Sequence, residues 1–195
     1  MPVTRLEITH RSPFELGKRF GEIGTYTYLE GKVHFEIDPA NESNVRITDI
    51  DLAPVNSSGK VEFSSDFSIL RPTDPAKGRR TMLLDVVNRG NRTVLSSFNK
   101  SSRALNLADQ FSSGNGFLMR HGYTVVFCGW QADVPPIPGL TALDSPQALE
   151  EGLPLVGRAL NQYQCDSETN VFPLADRYHQ INPAADIEDA HLLVG

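Results

Sequence analysis

Cysteine is scarce in this chain of 195 residues, which contains only Cys128 and Cys165. Two cysteines are too few for a disulfide framework, and their spacing with the histidines matches no zinc-binding pattern. Cys128 lies inside an apolar run of strand length. This position predicts a buried thiol that behaves as a small hydrophobic side chain, not as a reactive nucleophile.

Long apolar runs are also missing. No stretch approaches the length of a membrane span, and the charged N-terminus lacks the apolar core of a secretory signal, so we expect no membrane partner and a cytoplasmic location. The formal net charge of −6, without a cluster of Lys and Arg, argues against nucleic acid or an anionic membrane as the main partner.

The sequence lacks the motifs of several enzyme classes. No Gly-x-Ser-x-Gly pentapeptide presents a serine nucleophile, and the nearest sequences, at 57–59 and 112–114, are typical of turns. Neither a Gly-x-Gly-x-x-Gly sequence nor a Gly-Lys-Ser/Thr phosphate loop occurs, so no nucleotide cofactor is predicted. The five histidines are scattered, and we predict no metal site. We therefore place no catalytic residue within this chain.

Two apolar runs, at residues 82–87 and 123–128, organise the chain. Both are rich in β-branched and aromatic residues and are bounded by turn residues, which is typical of strands buried on both faces. Between them, residues 101–118 have the apolar spacing of a helix that breaks at Ser112-Ser113-Gly114, and a short helix is predicted to end near His121-Gly122. This strand–helix–strand order predicts a parallel pair and an α/β fold.

Residues 25–71 precede this unit and carry alternating polar and apolar patterns. The patterns predict an antiparallel β-meander with one wet face. Its expected parts are a hairpin with a turn at Glu30-Gly31, a strand over residues 45–52 with a bulge, and a strand over residues 61–70.

Residues 135–195 are predicted to form a Pro-rich loop followed by an insertion or a cap-like segment, so the organised domain spans residues 1–134. Short candidate elements lie at 155–160 and 190–194. The sequence at 190–194 is typical of a strand, and the chain ends there without a cap, which suggests that it is a fragment of a longer protein. A natural C-terminus is an equal alternative.

In open α/β sheets, ligands bind at the loops that follow the carboxyl ends of the strands. These loops are residues 88–91 and 129–133 here. Gly90 comes just after a buried strand, where a sharp turn leaves backbone N–H groups unpaired, as an oxyanion hole requires. The alternative is an ordinary turn with Arg89 and Arg92 on the surface or paired to acids, and spacing alone favours it. In the second loop, the candidates for a substrate pocket are Trp130, Gln131 and Asp133.

Short sequence blocks over most of residues 20–134 together carry a family resemblance. They include Asp38-Pro39-Ala40-Asn41, Leu70-Arg71-Pro72, Asp85-Val86-Val87-Asn88-Arg89-Gly90-Asn91 and Gly129-Trp130-Gln131-Ala132-Asp133. In this order they resemble the amino-terminal part of a bacterial family named "alpha/beta hydrolase domain-containing protein". Residues 178–194 also resemble a family segment.

The resemblance implies an α/β-hydrolase-like sheet in which residues 82–87 form the third strand and residues 123–128 the fourth. The loop after the third strand would carry the oxyanion hole, which falls on Arg89, Gly90 and Asn91. Members of the family are longer, and their nucleophilic serine, acid and histidine follow well downstream of residue 195.

Two functions therefore remain open. In the first, the chain is the amino-terminal portion of a serine-type acyl-ester hydrolase whose partner is a small-molecule ester. This predicts parallel strands at 82–87 and 123–128 with an uncovered sheet edge, through which the chain could also self-associate. In the second, it is a non-catalytic β-rich binding or interaction domain, which predicts a covered edge and a self-contained pocket.

Overall fold

A computed structural model describes residues 3–101, 112–157 and 167–168 of the chain. In chain order, the strands and α-helices of these residues are β1 Val3–Pro13, β2 Tyr26–Ile37, β3 Val61–Pro72, β4 Met82–Val86, α1 Val94–Asn99, α2 Phe117–Arg120, β5 Thr124–Cys128, β6 Leu143–Asp144, β7 Leu149–Glu150 and β8 Leu153–Pro154. Single 3₁₀ turns lie at Phe14–Gly17, Gly21–Ile23, Ile50–Leu52 and Pro75–Lys77.

The main sheet has the strand order β1-β2-β3-β5-β4, and β6 pairs with β3 alongside this path. The pairs β1–β2, β2–β3 and β3–β5 are antiparallel, whereas β4–β5 is parallel. Strands β7 and β8 form a separate two-stranded hairpin. The sheet is therefore mixed, with one parallel pair at its β4 end.

The predicted α/β class is wrong, and with it the expected α/β-hydrolase-like sheet. The described residues are mostly β, and their two α-helices have only six and four residues. Helix α1 ends at Asn99 and is followed by Lys100, which adopts the left-handed conformation; α2 begins only after Gly116, which does the same. Much of the helix predicted over residues 101–118 lies outside the described residues.

The predicted meander is partly wrong. Residues 61–70 form a strand as expected, within β3. The turn predicted at Glu30-Gly31 does not occur, because Gly31 pairs with Ile8 of β1 on one side and with Phe67 of β3 on the other. Residues 45–52 form turns and a 3₁₀ segment instead of a strand. Strand β1 was not predicted.

The parallel pair is confirmed, with Asp85 opposite Phe127 and Val86 opposite Cys128. The predicted short helix is confirmed as α2. Gly122 follows it with φ +71° and donates its N–H to Met119 O, as a glycine after a helix end commonly does.

The main core lies between one face of the sheet and the two helices. Tyr26 is fully buried there, and its hydroxyl donates to the carbonyl oxygens of Met119 (3.2 Å) and Tyr123 (2.9 Å). The buried apolar residues of this cluster are Phe14, Phe20, Tyr26, Leu70, Val87, Val94, Leu95, Leu118, Met119, Val125 and Phe127. Their contacts fix β4, β5 and the loops that follow them.

The opposite face of the sheet is open at its β4 end. Met82, Leu84 and Val86 alternate along β4 with exposed side chains, and no described residue pairs with the outer edge of this strand. Cys128 is half-buried, so the prediction of a buried thiol is only partly correct. Among described residues, its Sγ lies 3.4 Å from Ser65 Oγ.

The described part of the predicted cap-like segment contributes to the sheet, since Leu143 of β6 pairs with Ser65 of β3. The candidate element at 190–194, half of the one at 155–160, the resemblance at 178–194 and Cys165 lie outside the described residues. Across the described ranges, no helix has the length and apolar character needed to cross a membrane.

Candidate functional site

The loops that follow β4 and β5 meet, as the parallel pairing predicts. Trp130 Nε1 donates to Val87 O at 2.5 Å, and Arg89 N donates to Gln131 Oε1 at 2.8 Å. The two loops named from the sequence therefore form one surface at the carboxyl ends of two neighbouring strands.

Residues 88–91 form a tight two-residue hairpin turn. Asn88 N donates to Asn91 O (3.1 Å), and Asn91 N donates to Asn88 O (2.9 Å). The two central residues, Arg89 and Gly90, have φ of +49° and +78°. Positive φ at both central positions is the signature of a type I′ turn, in which Asn and Gly are favoured.

Two of the three candidate oxyanion donors are already hydrogen-bonded, and the third has no acceptor among the described residues. The N–H of Asn91 closes the turn, and the N–H of Arg89 is held by the Gln131 side chain. No described residue accepts a hydrogen bond from Gly90 N–H, although Gly90 itself is buried. An unpaired N–H of a buried residue is rare in folded proteins, and a catalytic role is one of the explanations for it.

The segment after Trp130 packs closely on the turn. A Cβ placed on Gly90 would lie 2.7 Å from Val134 Cγ1 and 2.9 Å from Leu140 Cβ, so only glycine fits. The carbonyl of Gly90 accepts from Thr141 N at 3.0 Å. These contacts hold the turn rigidly against the core.

The three pocket candidates have different environments. Gln131 supports the turn through its bond to Arg89 N and is only half-exposed. Trp130 is anchored through its indole nitrogen, yet 55% of its surface is exposed. Asp133 is exposed at the end of the loop. An anchored but exposed indole beside the turn is suited to contact an apolar group of a ligand.

A buried polar cluster behind the turn was not predicted. Arg92, expected on the surface or paired to an acid, is buried, and its Nη2 lies 3.8 Å from Glu30 Oε1. Its Nε donates to Thr141 Oγ1 at 3.0 Å, and its guanidinium lies 5.7 Å from the centre of the Phe127 ring. Burial lowers the pKa of Arg92, opposed by the neighbouring Tyr28 and Glu30. Burial also raises the pKa of Tyr28, and the charge of Arg92 opposes that shift.

This arginine positions the turn through Thr141, whose N–H holds Gly90 O. The sequence carries no local signal for it, because Arg92 and Thr141 are far apart in the chain and meet only through packing.

Asp85 is the buried carboxylate nearest the turn, and it has a structural role. Its Oδ2 accepts from Thr93 N (2.8 Å) and Val94 N (2.9 Å), the first backbone donors of α1. These bonds satisfy groups that a helix start leaves unpaired. The carboxylate therefore caps the helix and is not positioned as a general base.

A separate groove of about 570 Å³ lies at the other end of β2 and β3. The cross-strand neighbours Glu36 and Glu62 line it, and the Asn56 amide donates to both, at 3.4 and 2.9 Å. The remaining lining residues are Thr4, Arg5, His34, Phe35, Phe63, Ser64, Asp144, Ser145 and Pro146.

Metal ligands do not converge in the described part of the chain, where no group of three or more His, Cys, Asp and Glu side chains is placed to hold an ion. Comparison with family models, with curated proteins and with solved structures finds no match to the chain. The family resemblance of the sequence blocks therefore stays a prediction, and the function has to be argued from the sites themselves.

Proposed function

We propose that the chain is the amino-terminal portion of a serine-type acyl-ester hydrolase and supplies one backbone donor of its oxyanion hole. The observation that carries the proposal is the Gly90 N–H, which follows a strand end and has no acceptor among the described residues. A preorganised N–H at such a position stabilises the negative charge that develops on an ester carbonyl during attack.

A single donor from this loop is chemically sufficient for the role. An oxyanion hole combines hydrogen-bond donors from separate backbone or side-chain groups, so this loop needs to supply only one of them. The proposed nucleophile lies outside this chain, and the substrate is a small-molecule ester. Trp130 would contact the acyl or alcohol group of that ester.

The first experiment is to express the complete reading frame that contains these residues. We expect its product to hydrolyse p-nitrophenyl acetate or butyrate and to react with a fluorophosphonate probe at one serine. The 195-residue chain alone should do neither. Absence of both hydrolysis and labelling in the complete product would overturn the proposal, and so would hydrolysis by the 195-residue chain.

The second experiment removes the Gly90 N–H without adding a Cβ, through glycolic acid incorporated at position 90. Loss of one oxyanion donor should lower kcat by about 10²–10³-fold. The same replacement at Gly21, a positive-φ glycine with no atom near its Cβ position, is the control. An unchanged kcat at position 90 would exclude the N–H from the reaction.

The groove favours a second candidate function, a non-catalytic domain that binds a small organic cation. Glu36 and Glu62 lie directly opposite each other, and two like charges in this arrangement repel. The neutral Asn56 amide relieves the repulsion only in part, whereas a bound amine would neutralise it. Benzylamine should therefore shift backbone NMR signals around the groove. The Glu62→Gln variant should abolish these shifts, and no shift in the unmodified chain would exclude this candidate.

A further inference from the structure

A strained loop follows β1 and projects one apolar side chain into solvent. Glu15 and Leu16 have φ of +44° and +54°, a left-handed conformation that is disfavoured for residues with a Cβ. Leu16 is fully exposed, at 102% of its reference surface. Two consecutive strained residues thus leave a leucine without any packing in the described chain.

Partly buried hydrogen bonds hold this loop in place. Ser113, which is fully buried, donates to the Glu15 carboxylate from its N–H (2.7 Å) and from its hydroxyl (2.5 Å). Lys18 Nζ completes the cluster, at 2.9 Å from Ser113 Oγ and 3.0 Å from Glu15 Oε2. Because the loop is anchored on both sides of Leu16, its exposure is a fixed feature of the fold.

A second exposed apolar side chain lies on the adjoining segment. Phe117 begins α2, three residues after the 112–114 turn that binds Glu15, and 40% of its surface is exposed. The two segments also meet at Gly116, where a Cβ would lie 3.0 Å from the Phe20 ring. Leu16 and Phe117 therefore belong to one end of the molecule, here named the basic end.

Positive charge is concentrated at the basic end. Arg79 lies at this end because its N–H donates to Gly122 O (2.8 Å), just after α2. Lys100 lies there too, since the preceding Asn99 O accepts from Asn115 N (2.7 Å). The exposed cations of this end are Lys18, Arg19, Lys77, Arg79, Arg80, Lys100 and Arg120. Among the described residues of these segments, the carboxylates are only three, namely Glu15, Glu22 and Asp74.

The local charge is thus opposite in sign to the net charge of −6 of the chain. The net charge alone argues against an anionic surface as partner, but the Debye length at physiological ionic strength is only about 8 Å. Carboxylates farther away than this are screened and do not cancel the field of the basic end.

We propose that the basic end docks onto an anionic lipid bilayer surface. Leu16 and Phe117 enter the headgroup region, and the surrounding Lys and Arg side chains contact the lipid phosphates. Separate apolar side chains surrounded by cations match the composition of peripheral membrane anchors. A nucleic acid would use the cations but has no need of a projecting leucine, so lipid is the favoured partner.

The test is co-sedimentation of the 195-residue chain with vesicles. We expect binding to phosphatidylcholine vesicles that contain phosphatidylglycerol, no binding to pure phosphatidylcholine, and weaker binding at higher salt. Leu16→Ser should weaken binding by about fivefold or more, and so should Arg79→Gln with Arg80→Gln. Leu6→Ser is the matched control, since Leu6 is also exposed (55%) but lies far along β1.

Absence of binding to the anionic vesicles would overturn the proposal. Equal binding by the Leu16→Ser variant and the unmodified chain would overturn it as well, because contact through charge alone does not need the leucine. In that case heparin should compete with the vesicles, which would identify a general polyanion surface. Circular dichroism of each variant checks that the sheet is intact.

Discussion

Gly90 shows how one residue can carry both packing and chemistry. Its positive φ suits the turn, its missing side chain admits Val134 and Leu140, and its N–H is the proposed oxyanion donor. The sequence identified this glycine from its place after a strand predicted to be buried on both faces, a prediction that is wrong because one face of β4 is exposed. Which of the three candidate N–H groups remains available depends on Gln131, and no local pattern shows that contact.

We predict that Gly90→Ala destabilises the chain by about 2–4 kcal/mol, because overpacking adds to backbone strain. Gly59→Ala is the matched control: Gly59 also has positive φ, but no atom lies within 4 Å of its Cβ position, so only the strain of about 1 kcal/mol applies. Urea denaturation measures both losses. Equal losses would mean that the turn does not pack on residues 134 and 140.

At the scale of elements, the sequence predicts a strand correctly where its local pattern agrees with its pairing in the sheet. Strands β3, β4 and β5 have alternating or β-branched runs, and the structure pairs all three. Gly31 reads locally as a turn residue, but β1 approaches so closely there that a Cβ would meet the Glu7 backbone. A glycine is needed for that approach, so tertiary pairing overrides the turn signal.

The contact between the 3₁₀ segment Phe14–Gly17 and the loop before α2 should depend on pH. Burial raises the pKa of Glu15, but the bonds from Ser113 and the Lys18 charge outweigh it and hold the pKa below its ordinary value. A lowered folded pKa means that the stabilisation is present above the unfolded value, about 4.3, and is lost as pH falls through the folded value.

We therefore expect Glu15→Gln to cost about 1–2 kcal/mol of unfolding free energy at neutral pH, the size of a charge-assisted hydrogen bond. The difference from the unmodified chain should shrink as the pH is lowered from about 7 towards 3, since the folded carboxylate loses its charge only as pH falls through its lowered pKa. Urea denaturation at the two pH values gives the result. Glu22→Gln, in the next 3₁₀ turn, should show little effect at either pH. A difference that does not change with pH would contradict the role of the carboxylate charge.

For the whole molecule, the open end of the sheet is the feature with the widest consequence. Leu84 (50% exposed) and Val86 (63%) alternate along β4, whose outer edge no described residue covers. Exposed apolar edge strands are templates for pairing with a further strand. The first functional hypothesis predicted this uncovered edge, and further strands of a longer hydrolase or a second copy of the chain would fit it.

We predict that the 195-residue chain self-associates through β4, with a sedimentation coefficient that rises with concentration. A charge at the edge should disrupt pairing, so Leu84→Lys should weaken association by about tenfold. Its effect on unfolding should stay within about 0.5 kcal/mol, because the side chain is exposed. Val45→Lys, at an equally exposed position in a loop, should leave association unchanged. A chain that stays monomeric at every concentration would contradict self-association through β4.

The sequence by itself determined the features that depend on near neighbours in the chain. The apolar runs set β4 and β5, the Asn-Arg-Gly-Asn order set the turn after β4, and the connection between the runs allowed their parallel pairing. Only the tertiary structure decided the class of the sheet, the conversion of residues 45–52 into turns, the burial of Arg92 and the exposure of Leu16. Each of these depends on which distant segment packs against a residue. The free energy of that packing cannot be inferred from the local sequence pattern.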